Sequence, residues 1–123
     1  MSAKIHPVLT YHDAKAAIAW LQEAFGFETH AVYEGEDGNI DHAEMKLGGA
    51  FLMLSSKRDN IWSASNGPIA VSLPDGIDDH YERAKAAGAE IISPPAETHY
   101  GSRDYSVRDL EGNPGNFGTY VPE

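Results

Sequence analysis

The sequence predicts an α+β fold in which two βαβββ modules form cupped mixed β-sheets with helices on the outer face. Three features lead to this prediction: an internal repeat, two capped amphipathic segments, and strand-like pieces after each of them. Shifting the chain by 62 residues places residues 6–9 on 68–71 and aligns Asp13 with Asp75 and Gly26 with Gly88. A chain of 123 residues has the length of one domain. We therefore predict one domain over residues 1–123, with module one at about 1–56, a linker at about 57–66 and module two at about 67–123.

Each module contains one segment with helical periodicity. The first, over residues 14–25, follows the capping residue Asp13 and ends at Gly26, which suits the left-handed conformation after a helix. The second, over residues 77–87, has Asp75 or Asp78 near its start and ends at Gly88. Apolar residues recur on one face of each segment: Ala17, Ile18, Leu21, Ala24 and Phe25 in the first, and Ile77, Tyr81 and Ala84 in the second.

Strand-like pieces surround both helices. One precedes each helix, around residues 6–10 and 68–73, and three follow it, at about 28–33, 41–47 and 50–54 in the first module and 90–93, 103–108 and 116–121 in the second. On the third and fourth strands, alternate apolar residues should face the core: Ala43, Met45, Leu47, Leu52 and Leu54. The residues between them must point to the opposite, open face: His42, Glu44, Lys46, Phe51, Met53 and Ser55.

Composition limits the classes of function. Nine basic and nineteen acidic residues give a net charge of −10, which disfavours nucleic-acid binding and weakly favours a cationic or neutral ligand over an anionic one. The chain has no Cys, which excludes disulfides, thiolate nucleophiles and Cys-ligated metals. The N-terminal residues lack signal-peptide features, and the longest apolar run, residues 50–54, is too short for a membrane helix. We therefore expect a cytoplasmic protein with no nucleic-acid or membrane partner.

The C-terminal hairpin, residues 100–121, carries a family resemblance. It resembles the last hairpin of the glyoxalase/bleomycin resistance protein/dioxygenase (vicinal oxygen chelate) superfamily, where an Asp-Pro-x-Gly-(Asn/His) turn leads into a strand bearing a metal-binding Glu. Residues 109–113 match that turn, with Leu110 in place of Pro, and Asn116 stands where the Glu is expected. The duplicated βαβββ unit is also the architecture of this superfamily, so the resemblance covers nearly the whole chain.

The resemblance implies four metal-ligand positions, on the first, fourth, fifth and eighth strands. In this chain they fall on His6, Met53, Pro68 and Asn116. Only the imidazole is a good ligand, because a thioether suits such an ion poorly, proline has no side-chain donor and an amide is weaker than a carboxylate. We predict no metal and no cofactor. An alternative metal site would combine His42 and Glu44 with His6.

The resemblance also implies that the open sheet faces form a cup that holds a small organic ligand. The predicted ligand-binding residues are His6, His42, Glu44, Phe51, Met53, Trp62 and Asn116, and no catalytic residue is identified. Simpler interpretations exist: an ordinary exposed sheet face, a cross-strand polar pair for His42 and Glu44, and a cover over the core edge for Trp62. The histidines at positions 12, 30, 80 and 99 are expected at the surface.

Two classes of function follow. The first is metal-independent binding of a small molecule, such as a cationic or aromatic drug or metabolite, as in the bleomycin-resistance proteins that sequester an antibiotic. The second is a glyoxalase-like lyase, isomerase or dioxygenase with an atypical metal site or an acid–base pair formed by His42 and Glu44. Members of the superfamily commonly pair with a second copy, so we also predict a homodimer.

Overall fold

A computed structural model describes residues 4–63 and 66–122 of the chain. The order of its elements is βαβββ twice over. The first set is β1 (Val8–Tyr11), α1 (Ala14–Phe25), β2 (Glu28–Glu34), β3 (Ile40–Leu47) and β4 (Ala50–Ser56). The second is β5 (Ile69–Ser72), α2 (Ile77–Ala86), β6 (Glu90–Glu97), β7 (Arg103–Arg108) and β8 (Pro114–Gly118), and a short 3-10 turn, Ile61–Ser63, lies between the two sets.

The chain divides into two compact units that repeat one topology. The first unit comprises Met1–Gln22 and Gly26–Asn66, and the second comprises Glu23–Phe25 and Gly67–Glu123. The sheet of the first unit has the strand order β1-β4-β3-β2, and that of the second has β5-β8-β7-β6. In each sheet one pair, β1 with β4 or β5 with β8, is parallel and the others are antiparallel. The predicted fold class, α+β with a duplicated βαβββ unit, is confirmed.

Helix α1 has the predicted bounds and the predicted caps. The Asp13 carboxylate accepts a hydrogen bond from the Ala16 N–H at 3.0 Å, which satisfies one of the unpaired donors at the helix start. Gly26 takes the left-handed conformation, with φ of 79°, and its N–H donates to the Leu21 carbonyl. A residue with a side chain would be strained in that conformation, so glycine ends the helix here.

The first sheet has the predicted inward and outward faces. Ala43 and Met45 on β3 and Leu52 and Leu54 on β4 are buried, whereas the residues between them remain partly accessible. The register pairs each inward residue with another across the strands, Ala43 with Leu54 and Met45 with Leu52. This alternation follows from the two-residue period of a strand, and it leaves the polar and aromatic side chains on the open face.

The free edge of the first sheet is closed by one side-chain amide. Strand β1 is an edge strand, yet its Thr10 is only 1% exposed. The Asn66 side chain accepts from the Thr10 N–H at 2.9 Å and donates to the Thr10 carbonyl at 2.8 Å. Both backbone groups that an edge strand would leave unpaired at this residue are therefore satisfied.

Helix α2 starts differently from the prediction. Its N-cap is Gly76, no side chain caps the first turn, and Asp75 precedes the cap. Asp78 and Asp79 lie in the first turn, where carboxylates interact favourably with the positive end of the helix dipole. The helix ends at Ala86, one residue before the predicted end.

Two strands of the second sheet also differ in their bounds. Strand β6 continues to Glu97 through Pro94 and Pro95, because it is an edge strand where a missing N–H costs little; its register with β7 shifts there. Strand β8 covers Pro114–Gly118 and not 116–121. Beyond Gly118 the chain leaves the ladder, and the Tyr120 N–H donates to the Ser102 hydroxyl at 3.0 Å.

His80 is not the surface residue that the sequence led us to expect. It lies half-buried in the second unit, with its ring 4.3 Å from that of Phe117 and stacked on Phe25. One ring nitrogen is 2.5 Å from the hydroxyl of the fully buried Tyr105, and the other is 2.8 Å from the Phe25 carbonyl. Burial lowers the pKa of His80 and outweighs the bond to Phe25, and the positive charge of Arg83 lowers it further.

None of the helices in the described ranges is both long and apolar enough to span a membrane.

Candidate functional site

The open face of the first sheet brings together most of the predicted site residues. Met53 on β4 stands beside Val8 on β1 and Glu44 on β3, because these three residues are partners across the ladder. Phe51 stands beside Lys46 in the same way. The face is therefore a polar and aromatic surface built on rigid strands.

A cleft of about 240 Å³ surrounds Phe51. The rings of His6 and His30 meet the Phe51 ring edge-on, with centroids 6.2 and 5.1 Å away. The lining residues are Lys4, His6, His30, Glu44, Phe51 and Met53. His6 itself lies two residues before β1 begins, so it reaches the cleft from the segment that leads into the sheet.

Glu44 is the centre of a small network of charge-bearing groups. Its carboxylate is 2.9 Å from Nε2 of His42 and 3.9 Å from Nε2 of His30. The Glu44 side chain is 28% exposed, so water screens these contacts less than at an open surface. His42 and Glu44 are thus hydrogen-bonded to each other, but as same-face neighbours within β3 and not as the cross-strand pair that the sequence suggested.

A larger cleft of about 480 Å³ lies on the other side of Met53, which lines both. The short 3-10 turn supplies Trp62, which is 66% exposed and therefore does not cover the core. The full lining is Val8, Asp41, His42, Met53, Leu54, Ser55, Arg58, Asn60, Trp62 and Ser63.

Arg58 fixes the segment that carries this turn. Its guanidinium donates hydrogen bonds to Asp37 at 2.7 Å and to Asp41 at 2.9 Å. The backbone N–H of Arg58 donates to the Ser63 hydroxyl at 2.7 Å. The Arg58 hydrogen bond, with help from the Asn39 N–H, lowers the pKa of Asp37 to about 2. This clamp ties Arg58 and Ser63 to the turn between β2 and β3.

Asn116 lies in the second unit, on the open face of its sheet. It pairs with Ala70 on β5, as Met53 pairs with Val8 on β1, so the two residues occupy equivalent places in the two repeats. The Asn116 amide accepts from the Ser106 hydroxyl at 3.0 Å and donates to Asp104 at 3.1 Å.

Asp104 organises the rest of that face. Burial alone would raise its pKa, but hydrogen bonds from Ser102, Asn116 and Tyr100 outweigh this and lower the pKa. A Cβ at Gly118 would lie only 2.8 Å from the Asp104 Cγ, so this carboxylate sits directly on the backbone of β8.

The residues present do not fit the metal that the superfamily implies. Of the four family positions, Met53 and Pro68 offer no suitable donor, and both ends of the Asn116 amide are bonded to other side chains. Within residues 4–63 and 66–122, no three His, Cys, Asp or Glu side chains are placed to hold a metal ion. The alternative set of His6, His42 and Glu44 is therefore not assembled as a ligand cluster.

Sequence reasoning missed several residues of these clefts. His30 lies in β2 where the register with β3 shifts between Thr29 and Ala31, so strand alternation could not assign its face. Lys4, Arg58 and Asn60 lie outside the strands and reach the clefts through the fold of their segments. The one available signal for His30 was its position inside the predicted strand 28–33, which precedes the predicted strand that carries Glu44.

Comparison with known proteins places the chain in a family. The sequence matches the Glyoxalase/Bleomycin resistance protein/Dioxygenase superfamily over residues 5–117. The crystal structure of TioX from Micromonospora sp. ML1 is 30% identical, with a TM-score of 0.81 over 98% of this chain and 100% of that one. A superfamily member from Sphaerobacter thermophilus DSM 20745 is 18% identical and shares the fold, with a TM-score of 0.75 over 96% and 97% of the two chains. The uncharacterized protein Mb0911c of Mycobacterium bovis is 26% identical over 136 residues, which cover 100% of this chain and 90% of that protein. The chain belongs to the glyoxalase/bleomycin resistance protein/dioxygenase superfamily.

Proposed function

We propose that this protein binds a small organic molecule on the open face of its first sheet, and that it does so without a metal ion. The observation that carries the proposal is the pair of clefts, of about 480 and 240 Å³, that share Met53. Ligand sites in proteins are typically concavities of this size that combine aromatic and apolar walls with a few polar groups.

The lining favours a ligand with a flat aromatic body and a positively charged end. Phe51 and Trp62 offer aromatic surface, and such rings attract cations through their faces. Glu44 offers a partly buried carboxylate in the smaller cleft, while in the larger cleft Arg58 and Asp41 offset each other by pairing. The net charge of −10 also favours a cation over an anion.

Tryptophan fluorescence tests the proposed site directly, because the chain has only two tryptophans. Trp62 lines the larger cleft, whereas Trp20 lies on α1. Titration with chelator-treated bleomycin, followed by a panel of aromatic amines, should change the emission of the wild type and of Trp20→Phe. The change should be lost in Trp62→Phe. A ligand that still shifts the emission of Trp62→Phe to the same extent binds elsewhere.

Matched carboxylate variants test the charge preference. Glu44→Gln should weaken binding of an aromatic amine by about two- to fivefold, the worth of a partly exposed ion pair. Glu82→Gln removes a carboxylate from the exposed face of α2 and should leave binding unchanged. Equal affinity of all three proteins would exclude Glu44 as the anchor. Binding that disappears on dialysis against chelator, and returns with a divalent ion, would refute metal independence.

The family resemblance supports four finer proposals. We propose that the natural ligand is a drug or metabolite that the protein sequesters, as bleomycin-resistance proteins do, and that the protein acts in the cytoplasm. We also propose that residues 1–123 form one domain and that two copies form a homodimer. Light scattering at micromolar concentration tests the dimer, since a mass of one chain would contradict it.

A further inference from the structure

The contact with Glu44 orients the His42 ring and selects one tautomer of its neutral form. Ionised Glu44 can only accept hydrogen bonds, so the contact of 2.9 Å requires that His42 Nε2 carries a proton and donates it. In the neutral ring, the other nitrogen, Nδ1, then carries the lone pair. Among the described residues, Nδ1 makes no hydrogen bond with the protein.

The pair also has a direction. His42 lines the larger cleft, whereas Glu44 lines only the smaller one, so the carboxylate stands behind the imidazole as seen from the larger cleft. The ring of Tyr33, the partner of His42 across the ladder, packs beside it with centroids 6.0 Å apart. A base within reach of a cleft, oriented by a carboxylate on its far side, is the arrangement that general-base catalysis requires.

We propose that His42 is a general base that removes a proton from a small carbon acid bound in the larger cleft, with Glu44 as its positioning residue. The substrate class is a molecule whose acidic C–H adjoins an electron-withdrawing group on an aromatic body. The C–H bond breaks, its electron pair moves into that group, and the proton passes to Nδ1. This activity goes beyond binding and rests on the proposed function only in using the same cleft.

The surroundings supply the electrostatics of such a step. The imidazolium formed by proton transfer keeps its bond to the Glu44 carboxylate, which stabilises the new positive charge. The negative charge that develops on the substrate lies in a cleft that the Asn60 amide also lines, together with Arg58, whose charge is offset by its pairs with Asp37 and Asp41. Val8, Met53 and Trp62 provide the apolar walls for the aromatic body.

The test uses the elimination of nitrobenzisoxazole, which needs a base and no other reactant. The base takes the ring C–H proton, the C–H electron pair completes the nitrile, and the N–O bond breaks to leave a coloured nitrophenolate. The wild type should turn over faster than an equal concentration of free imidazole. His42→Gln should lose about a hundredfold, the lower end of what a positioned base contributes.

Substitution of a second histidine is the control that distinguishes catalysis by His42 from a general effect of losing an imidazole. His99→Gln removes an exposed imidazole that lines neither cleft and does not contact Glu44, and it should retain the wild-type rate. Added imidazole should restore turnover to His42→Gly and not to the wild type. Glu44→Gln should lower kcat and leave KM unchanged, as expected for a residue that acts through His42.

Turnover and binding are read separately. Quenching of Trp62 by the nitrophenolate product reports occupancy of the cleft in every variant, and melting temperatures report folding. Binding without turnover above free imidazole overturns the catalytic proposal and leaves the binding function standing. Equal rates in His42→Gln and His99→Gln, or a probe that neither binds nor reacts, overturn it as well.

Discussion

Replacement of His80 by Phe should destabilise the second unit because it leaves the Tyr105 hydroxyl without a hydrogen-bond partner. His80→Phe keeps a planar ring beside Phe117, where the centroids are 4.3 Å apart, so the stacking can persist. The variant removes the nitrogen that lies 2.5 Å from the Tyr105 hydroxyl. No other hydrogen-bond partner is present for that hydroxyl among the described residues, and the side chain is fully buried.

The magnitude follows from the cost of a buried polar group without a partner. Leaving one neutral donor unsatisfied costs about 1–3 kcal/mol of unfolding free energy. For a chain of 123 residues this corresponds to a fall in Tm of about 4 °C per kcal/mol. Tyr105→Phe should cost less, because His80 is only half-buried and its freed nitrogen can meet water.

The double variant His80→Phe/Tyr105→Phe makes the reasoning testable, since it removes both partners at once. Chemical denaturation of the four proteins gives a coupling free energy, and the double variant should be more stable than His80→Phe alone. Strictly additive losses would show that the two side chains do not interact. A His80→Phe variant as stable as the wild type would refute the buried hydrogen bond itself.

The remaining predictions concern pH and two close contacts. Burial lowers the folded-state pKa of His80 below the ordinary 6.5, so as the pH falls the unfolded chain binds a proton at this residue before the folded chain does. The stability that the neutral His80 contributes is therefore complete above pH 6.5 and is lost as the pH decreases below it. Thermal melts from about pH 8 to about pH 5 should therefore show a steeper loss of Tm in the wild type than in His80→Phe, whereas the exposed control His99→Phe should keep the wild-type slope. Asn66→Ala should cost about 1–3 kcal/mol in denaturation experiments, because it strands two backbone groups of a buried edge residue; an unchanged midpoint would contradict the contact. Gly118→Ala should cost about 1–3 kcal/mol by overpacking, and Asp104→Ala in the same chain should recover part of it if the carboxylate is the obstacle.

Local rules in the sequence were sufficient for the regular parts of the fold. The helix over 14–25 was predictable because Asp13 and Gly26 mark its two ends chemically. The ends of strands were harder to predict where the residues that follow do not obey the usual preferences. Pro94 and Pro95 look like a strand end but lie within β6, and the apolar residues after Gly118 look like a strand but leave the ladder.

The open face was predictable only where two-residue alternation holds. It placed His42, Glu44, Phe51 and Met53 together because β3 and β4 pair without a bulge over this stretch. The face of His30 could not be predicted because the register of its strand with β3 shifts there.

His80 carried a signal that was not used. It lies three residues after Ile77 and four before Ala84, on the buried stripe of α2. The clamp made by Arg58 had no such signal, since its partners are 21 and 17 residues away in sequence.

The Asn66 side-chain amide, which closes the edge of the first sheet, is also open to slow chemical change. Asn66 is followed by Gly67, and an Asn-Gly pair is prone to deamidation because the small glycine lets its backbone nitrogen attack the side-chain carbonyl. The two bonds to Thr10 hold the Asn66 side chain away from that reaction for as long as the strand edge stays closed.

Conversion of the amide to a carboxylate would replace the donor that faces the Thr10 carbonyl by a second acceptor. The carboxylate at position 66 would then repel the Thr10 carbonyl, and β1 would offer unpaired backbone groups to other chains. Slow ageing of the purified protein would thus end in strand-to-strand association, and peptide mapping of aged material should find the modification at Asn66 in the aggregated fraction first.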